Sequence, residues 1–243
     1  MHASYDHKKS VDAGRYHRDP VLYESLVREL YEQYPDGITL PPEYAAHVEH
    51  DLLRLTIFLA RYKFVARLVR KTDHILEIGS GSGLGSLFLG QHAGQVTGID
   101  IRTTAVEEAR ALNRNPKVDF LVADFFELDT NTRYDVILAL DVIEHMPAEQ
   151  GDLLLARISS SLKHSGVAII GTPSLYSWEY QSPLSKASHV KCYDRDELLA
   201  AMDRHFGRCT AFSMNDELVH TGFHKMAWYY FALGFTPQGA AHE

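Results

Sequence analysis

The apolar positions of this chain follow a helical period in its first third and a mixed strand-and-helix pattern thereafter. In residues 20–34, and again in about 43–70, apolar side chains recur every three or four positions, as on one face of an amphipathic helix. The segment "PDGITLPPEY" separates the two stretches with three prolines and one glycine, which disfavour a continuous helix. We therefore predict a helical N-terminal extension over residues 1–70.

Beyond residue 70, short aliphatic or β-branched runs alternate with longer amphipathic segments. This alternation is typical of βαβ units, in which parallel strands form one sheet with helices on both faces. Two further strands are expected in "RCTAFSM" and "KMAWYYFALGF", although the latter also fits a short helix. The predicted fold class is α/β, with a doubly wound, mostly parallel, seven-stranded Rossmann-like sheet in a domain at 71–243. The other predicted strands lie at 74–78, 95–100, 118–123, 134–140 and 166–172, and the predicted helices at about 83–92, 103–113, 149–163 and 194–206.

Composition and charge limit the kinds of molecule that this protein is expected to bind. The 243 residues are 45% hydrophobic and 23% charged, as in ordinary globular domains, and their formal net charge is −8. No run of Lys or Arg forms the electrostatic footprint of a nucleic-acid-binding protein, so we expect a small-molecule substrate and no nucleic acid. We find neither an apolar signal segment nor about 18 consecutive apolar residues, which predicts a cytoplasmic protein with no membrane partner.

A glycine-rich segment follows the first predicted strand. Residues 74–86 read "HILEIGSGSGLGS", with glycines on alternate positions and an acid, Glu77, two residues before the first of them. Backbone without Cβ atoms can approach a ligand closely. The dinucleotide fingerprint G-x-G-x-x-G is incomplete in every register, because Leu84, Ser86 or Phe88 stands where its third glycine belongs. A dinucleotide is therefore disfavoured as the ligand of this loop.

The segment "LEIGSGSGLG" resembles the first motif of the class I S-adenosylmethionine-dependent methyltransferases. Four later segments resemble further parts of that family in the same order, within residues 74–174: "VTGIDI", "LVADFFEL", "YDVILALDVIEHMP" and "LKHSGVAIIGTPS". The resemblance implies an enzyme that uses S-adenosylmethionine as its cofactor. It also implies methylation of an oxygen or nitrogen atom of a small-molecule acceptor.

The same resemblance implies cofactor contacts for individual residues. The glycine loop would pass under the methionine part of the cofactor, with Glu77 near the charged amine. Asp100 would accept hydrogen bonds from both ribose hydroxyls, as acids do in sites for adenosine-containing cofactors, unless it merely caps a helix. Asp124 would meet the adenine amino group, and Phe125 would line the adenine slot. The implied cofactor-binding residues are Arg61, Glu77, Gly79, Gly81, Gly83, Asp100, Ile101, Asp124, Phe125 and Leu140.

The region before these motifs is implied to complete the cofactor site. Arg61 lies 18 residues ahead of Gly79, where a basic residue of the family pairs with the methionine carboxylate, a task that suits a guanidinium group. The alternative is an arginine on a helix surface. The N-terminal helical extension would close over the cofactor as a lid.

His145 is the candidate catalytic residue. It follows the fourth predicted strand, at the edge where open α/β sheets bind ligands, and an imidazole titrates near neutral pH. A base is needed only where the acceptor loses a proton. His145 could therefore act as a general base, or it could simply pack beside the turn in "EHMP".

The substrate side is expected in two insertions, at about 173–193 and 213–225. The first contains His189 and Tyr193, and the second contains His220 within a segment unusually rich in polar residues for a strand connection. These three residues are the predicted substrate contacts. The alternative is that His189 and Tyr193 anchor loops and that His220 lies in a solvated surface loop.

Spacing along the chain does not indicate a metal site. None of the 14 histidines falls in an HExxH or facial pattern, and only His47 and His50 share a helix face at i, i+3, so we predict no metal. Two other functions remain open as alternatives. One is a nicotinamide-dependent oxidoreductase, and the other is a non-catalytic module that binds a cofactor.

Overall fold

The computed structural model describes residues 19–129 and 132–238. The chain divides into two compact units, Met1–Thr39 and Leu40–Glu243. The described part of the first unit contains helix α1 (Pro20–Gln33), which begins where the Asp19 carboxylate accepts a hydrogen bond from the Leu22 N–H at 2.9 Å. Residues 1–18 of the predicted N-terminal extension lie outside the described residues, and the predicted role of residues 1–70 as a lid stays a prediction.

The second unit is built on one eight-stranded sheet in the order β3-β2-β1-β4-β5-β8-β6-β7. The first five strands are parallel, while β8 runs antiparallel between β5 and β6. Parallel strands need helical crossovers, which cover both faces of the sheet. The strands are β1 (His74–Ile78), β2 (Gln95–Asp100), β3 (Val118–Val122), β4 (Tyr134–Leu140), β5 (Leu162–Pro173), β6 (Phe206–Asn215), β7 (Leu218–His220) and β8 (Tyr229–Pro237).

The predicted class, a doubly wound and mostly parallel α/β sheet, is confirmed, but the predicted count of seven strands is wrong. The additional strand is β7, which forms a hairpin with β6 through the pair Ser213 and His220. The hairpin turns at Asp216, whose φ of 50° lies in the left-handed region that Asp tolerates better than most residues. A strand of three residues carries too little hydrophobic alternation to be distinguished from a polar loop.

The helices pack on the sheet in two layers with separate apolar cores. On one face, α3 contacts the sheet through Phe64, whose ring centroid lies 5.2 Å from that of Phe212 and 4.7 Å from that of Phe231. On the other face, α6 and α8 bury side chains such as Leu155 and Met202. Among the described residues, no helix is both long and apolar enough to cross a lipid bilayer. The helices of this unit are α2 (Pro42–His50), α3 (Leu52–Ala66), α4 (Leu84–Leu89), α5 (Thr103–Leu112), α6 (Ala148–Ser161), α7 (Pro183–Ser188) and α8 (Arg195–Asp203).

Candidate functional site

A cleft of about 1760 Å³ opens at the carboxyl ends of the parallel strands β1, β2 and β4. This edge is where open α/β sheets bind ligands. Helices α2 and α3 supply one side of the cleft, and the segment between β5 and α7 supplies another. The predicted site residues that line it are Arg61, Gly79, Gly81, Asp100, Ile101, Asp124, Phe125, Leu140, His145 and His189.

The glycine loop forms the floor of the cleft. The N–H groups of Gly79 and Ser80 donate to the Ile99 carbonyl at 2.8 and 2.9 Å, which fixes the loop to the end of β2. Gly79 has a φ of 73°, and a Cβ there would lie 2.7 Å from Cγ2 of Val142. A larger residue is therefore disfavoured both by the backbone conformation and by the approach of the segment that follows β4.

Asp100 is held in position beside this loop. One carboxylate oxygen accepts a hydrogen bond from the Gly81 N–H at 3.0 Å, and the other accepts from the Arg102 N–H at 2.9 Å. The Arg102 guanidinium also lies 3.3 Å from the carboxylate. The acid is thus fixed at the cleft wall by two backbone donors rather than free to rotate.

Glu77 lies beneath the loop and is not among the residues that line the cleft. Its carboxylate accepts hydrogen bonds from Tyr62 Oη at 2.7 Å and from the Ser86 hydroxyl. Burial raises the pKa of Glu77 to about 7, against the lowering effect of these two hydrogen bonds. A direct contact with a ligand in the cleft would require one of the hydrogen bonds to be exchanged.

Gly83 is also not among the residues that line the cleft. It adopts a φ of 87°, and a Cβ there would lie 2.6 Å from Cβ of Ala109 and 2.7 Å from the ring of Phe120. The glycine lets the start of α4 pack directly on α5 and β3. Its visible contribution is to the packing beneath the loop.

Two predicted substrate residues lie off the cleft wall. Tyr193 is buried, and its carbonyl accepts a hydrogen bond from the Leu175 N–H at 2.8 Å. His220 lies 2.9 Å from the Asn215 side-chain oxygen through Nε2, and its Nδ1 accepts from the Gly222 N–H at 3.0 Å. Through these hydrogen bonds, Tyr193 and His220 each anchor the segment that carries them.

Arg61 and Asp141 form a part-buried ion pair within the cleft. The Arg61 guanidinium also lies 4.1 Å from the ring centroid of Tyr229 on β8. Asp141 follows β4 with a φ of 55°. Asp141 was not among the residues predicted from the sequence. An acid immediately after a central parallel strand is the signal that could have identified it.

A second arginine supports the segment after β3. The Asp124 carboxylate accepts a hydrogen bond from the Phe126 N–H at 2.8 Å, so it closes a local turn at the cleft edge. Phe125 is buried, and Arg157 Nε donates to its carbonyl at 2.6 Å. The Arg157 guanidinium carbon lies 5.6 Å from the ring centroid of Phe125. Arg157 was not predicted, because it lies on α6 and reaches the segment after β3 only in the folded chain.

Glu144, His145 and His189 come together at the far wall of the cleft, and we refer to them as the carboxylate–histidine cluster. One potential ligand atom from each residue lies within 4.8 Å of the others. Glu144 is 0% exposed, and its Oε2 accepts a hydrogen bond from the Thr172 hydroxyl at 3.0 Å. Burial, followed by the nearby Asp141 carboxylate, raises the pKa of Glu144 to about 8.

Known proteins resemble this chain in sequence over part of its length. A sequence family described as a methyltransferase domain matches residues 75–166. A ubiquinone biosynthesis O-methyltransferase of Rickettsia conorii is 28% identical over 184 residues, which cover 68% of this chain and 63% of the relative. A protein of the same description from Paramagnetospirillum magneticum is 36% identical over 95 residues, which cover 38% of this chain and 37% of the relative. The chain thus spans less than two thirds of the length of these curated relatives.

Solved structures share the fold. An S-adenosylmethionine-dependent methyltransferase from Clostridium acetobutylicum has a TM-score of 0.60 at 13% identity, covering 79% of this chain and 98% of that chain. The N-methyltransferase NodS from Bradyrhizobium japonicum has a TM-score of 0.57 at 15% identity, covering 75% of this chain and 97% of that chain. These likenesses define a methyltransferase fold. Together with the family match over residues 75–166, they confirm the predicted resemblance to the class I S-adenosylmethionine-dependent methyltransferases.

Proposed function

We propose that this protein transfers the methyl group of S-adenosylmethionine to an oxygen or nitrogen atom of a small-molecule acceptor. The observation that carries the proposal is the convergence of the glycine loop, Asp100 and Asp124 on one cleft at the carboxyl edge of the sheet. When bound, S-adenosylmethionine supplies an electrophilic methyl group on a sulfonium, which leaves as a neutral thioether. The findings give no support to a nicotinamide-dependent reaction.

The two acids at the strand ends are proposed to hold the nucleoside. The Asp100 carboxylate would accept hydrogen bonds from the ribose hydroxyls, and Asp124 would meet the adenine amino group. Apolar side chains of Ile101, Phe125 and Leu140 line the same part of the cleft and would cover the adenine and ribose. The bare backbone of the glycine loop would allow the methionine part to lie close against the end of β1.

The Arg61–Asp141 pair is proposed to bind the amino-acid end of the cofactor. That end carries one carboxylate and one ammonium group, and the pair offers one guanidinium and one carboxylate in the cleft. An arginine can bind a carboxylate in bidentate fashion. The ammonium, predicted from the sequence to lie near Glu77, would instead lie near Asp141, because Asp141 lines the cleft whereas Glu77 is buried beneath the loop.

The acceptor is proposed to enter beside the carboxylate–histidine cluster. His145 and His189 line the cleft together with residues 180–185 of the first predicted insertion. In methyl transfer, the protein mainly orients the acceptor atom toward the methyl group and excludes water. His145 is proposed to take part in activating the acceptor. Tyr193 and His220 would support the substrate side by anchoring their own segments, while Asp216 of the insertion at 213–225 lines the cleft itself.

Relatives described as ubiquinone biosynthesis O-methyltransferases support a hydroxyl acceptor. The net charge of −8 and the lack of a Lys/Arg run favour a substrate other than nucleic acid. A cytoplasmic location and the absence of a membrane partner stay predictions from composition.

Isothermal titration calorimetry with two ligands tests the proposed function. S-Adenosylhomocysteine, the product left by S-adenosylmethionine, should bind with one-to-one stoichiometry, while NAD should give no heat of binding. NAD binding without a response to S-adenosylhomocysteine would overturn the proposal.

A further inference from the structure

We propose that the carboxylate–histidine cluster, Glu144, His145 and His189, binds one divalent transition-metal ion. The ligand atoms of the three side chains lie within 4.8 Å of one another. Glu144 and His145 belong to one turn of 3₁₀ helix after β4, and His189 directly follows α7. Because these positions are far apart in the chain, the sequence-based prediction of no metal did not consider them together.

The buried carboxylate of Glu144 has one oxygen without a partner. Among the described residues, Oε1 finds no hydrogen-bond donor, while Oε2 is bound by Thr172. A buried polar atom without a hydrogen bond destabilises the folded state. A cation coordinated by Oε1 would remove this cost.

The turn that carries Glu144 is tied to the segment that carries His189. The Glu144 carbonyl accepts hydrogen bonds from the N–H groups of Val190 at 2.7 Å and Lys191 at 3.0 Å. The distance between the two parts of the cluster is therefore set by backbone hydrogen bonds. A preformed arrangement of ligands favours metal binding because less conformational freedom is lost.

The environment of His145 directs one nitrogen toward a ligand. Its Nδ1 lies 3.0 Å from the Ser188 carbonyl oxygen. A carbonyl can only accept, so Nδ1 must carry the proton, and in the neutral ring Nε2 keeps its lone pair. Histidines that bind metals usually donate their other ring N–H to an oxygen in this way.

A chain of hydrogen bonds gives His189 the same tautomer. The Ser177 hydroxyl donates to the Ser174 carbonyl at 2.7 Å, so its oxygen is left to accept from Gln181 Nε2 at 3.2 Å. The amide oxygen of Gln181 then faces His189 Nδ1 at 2.8 Å, which must donate. Both histidines therefore keep Nε2 free as an acceptor.

One carboxylate oxygen and two imidazole nitrogens suit Zn²⁺, Mn²⁺, Fe²⁺ or Co²⁺ better than Ca²⁺ or Mg²⁺, which prefer oxygen ligands. Three protein ligands leave coordination positions open, and both histidines line the cleft. An acceptor hydroxyl bound at an open position would release its proton to solvent water more easily, and its oxygen would then attack the methyl group. This catalytic role rests on the proposed function, whereas binding of the ion does not. Under it, His145 acts as a ligand and not as the general base predicted from the sequence.

The test uses the full chain after dialysis against a chelator, titrated by calorimetry with Zn²⁺ and separately with Mn²⁺. We expect one-to-one binding of at least one of these ions. His189→Ala should weaken it by at least about 100-fold, and Gln181→Leu, which removes the partner of His189 but leaves all three ligands in place, by about 10–100-fold. The control His92→Ala changes an exposed histidine outside the cleft and should bind as the unmodified chain does.

Visible absorption of added Co²⁺ gives a second readout, because its bands report coordination by the protein and should be lost in His189→Ala. A circular dichroism spectrum of each variant shows that it is folded, and S-adenosylhomocysteine binding is measured separately. If neither Zn²⁺ nor Mn²⁺ binds stoichiometrically, or if His189→Ala binds metal as tightly as the unmodified chain, the inference is wrong. Metal binding without S-adenosylhomocysteine binding would instead contradict the proposed function alone.

Discussion

Arg61 and Asp141 form an ion pair that joins the helix before the sheet to the end of its fourth strand. Arg61 is also placed over the ring of Tyr229, 4.1 Å from its centroid, which restricts the guanidinium to one orientation. A partly buried charge destabilises the fold unless a group of opposite charge lies beside it. A ligand that carries both a carboxylate and an ammonium group could take the place of each partner in the pair. The pair is therefore suited to a zwitterionic ligand.

Arg61→Lys should weaken S-adenosylhomocysteine binding by about 10-fold or more, because lysine offers neither the bidentate fork nor the stacking on Tyr229. Binding of 5′-methylthioadenosine, which lacks the amino-acid end, should change by less than about 2-fold, since it makes no charge-assisted hydrogen bond to this residue. Calorimetric titration of both ligands measures the difference. The control is Arg67→Lys, at an exposed position outside the cleft. Equal losses for both ligands would show that Arg61 acts through the fold.

Asp100→Ala should cost about 1.5–3 kcal/mol in affinity for S-adenosylhomocysteine, because two hydrogen bonds to a buried ligand are lost. The fold should survive, since the side chain contributes little to the apolar core. Dissociation constants from calorimetry check the value, with Asp119→Ala, an exposed acid on the neighbouring strand, as the control. Unchanged affinity in Asp100→Ala would mean that the ribose is held elsewhere.

Gly83→Ala should destabilise the fold by roughly 2–4 kcal/mol for two reasons. The positive φ is unfavourable for alanine, and the added Cβ would clash with neighbouring side chains. It would lie 2.6 Å from Cβ of Ala109 at a φ of 87°. Gly81→Ala is the matched control, because Gly81 lies in the same unit and has a positive φ, 54°, but its added Cβ would lie no nearer than 3.7 Å, to Nη2 of Arg102. Urea denaturation of both variants separates the steric contribution from the backbone contribution. Similar losses in the two proteins would show that the clash is relieved by a small shift.

The buried Glu77 should make stability depend on pH. Burial raises its pKa to about 7 in the folded protein, above the ordinary value of 4.5. The folded state therefore binds the extra proton between these values, so the stabilisation is complete below pH 4.5 and is lost as pH rises through 7. Glu77→Gln stays neutral, and its stability relative to the unmodified protein should rise by up to about 3 kcal/mol between pH 5 and 8. Urea denaturation without cofactor at both pH values measures this, and parallel pH profiles would contradict it.

The strands could be predicted because their signal is local. The bounds of β1, β2 and β4 agree with the predicted ranges, since buried parallel strands are short, almost uninterrupted apolar runs bounded by turn residues. The antiparallel position of β8 between β5 and β6 has no comparable local signal. Strand order depends on contacts between segments that are distant in the chain.

The candidate site also has parts that could be predicted from the sequence and parts that could not. The glycine loop and Asp100 were predictable because each follows a strand directly, and all parallel strands present their carboxyl ends at one edge. The pairing of Arg61 with Asp141 was not predictable, because α3 crosses that edge only in the folded chain. The cluster of Glu144, His145 and His189 likewise depends on two backbone hydrogen bonds between distant segments.

His145→Ala should lower the turnover rate by roughly 10²–10⁴-fold, the range expected when the group that activates an acceptor is removed. S-Adenosylhomocysteine affinity should change far less, because His145 lies beside the acceptor part of the cleft. The rate is measured with a hydroxylated acceptor found by screening metabolites for release of S-adenosylhomocysteine.

Two causes of the loss of turnover in His145→Ala can be separated by their response to pH and to added metal. If His145 only accepted a proton, the rate would recover at higher pH, where the hydroxyl ionises without help. If it holds an ion, excess Zn²⁺ or Mn²⁺ should restore part of the rate, and a chelator should reduce the unmodified enzyme to the level of the variant. Full turnover in a folded His145→Ala protein would exclude both roles and would direct attention to His189 as the residue that contacts the acceptor.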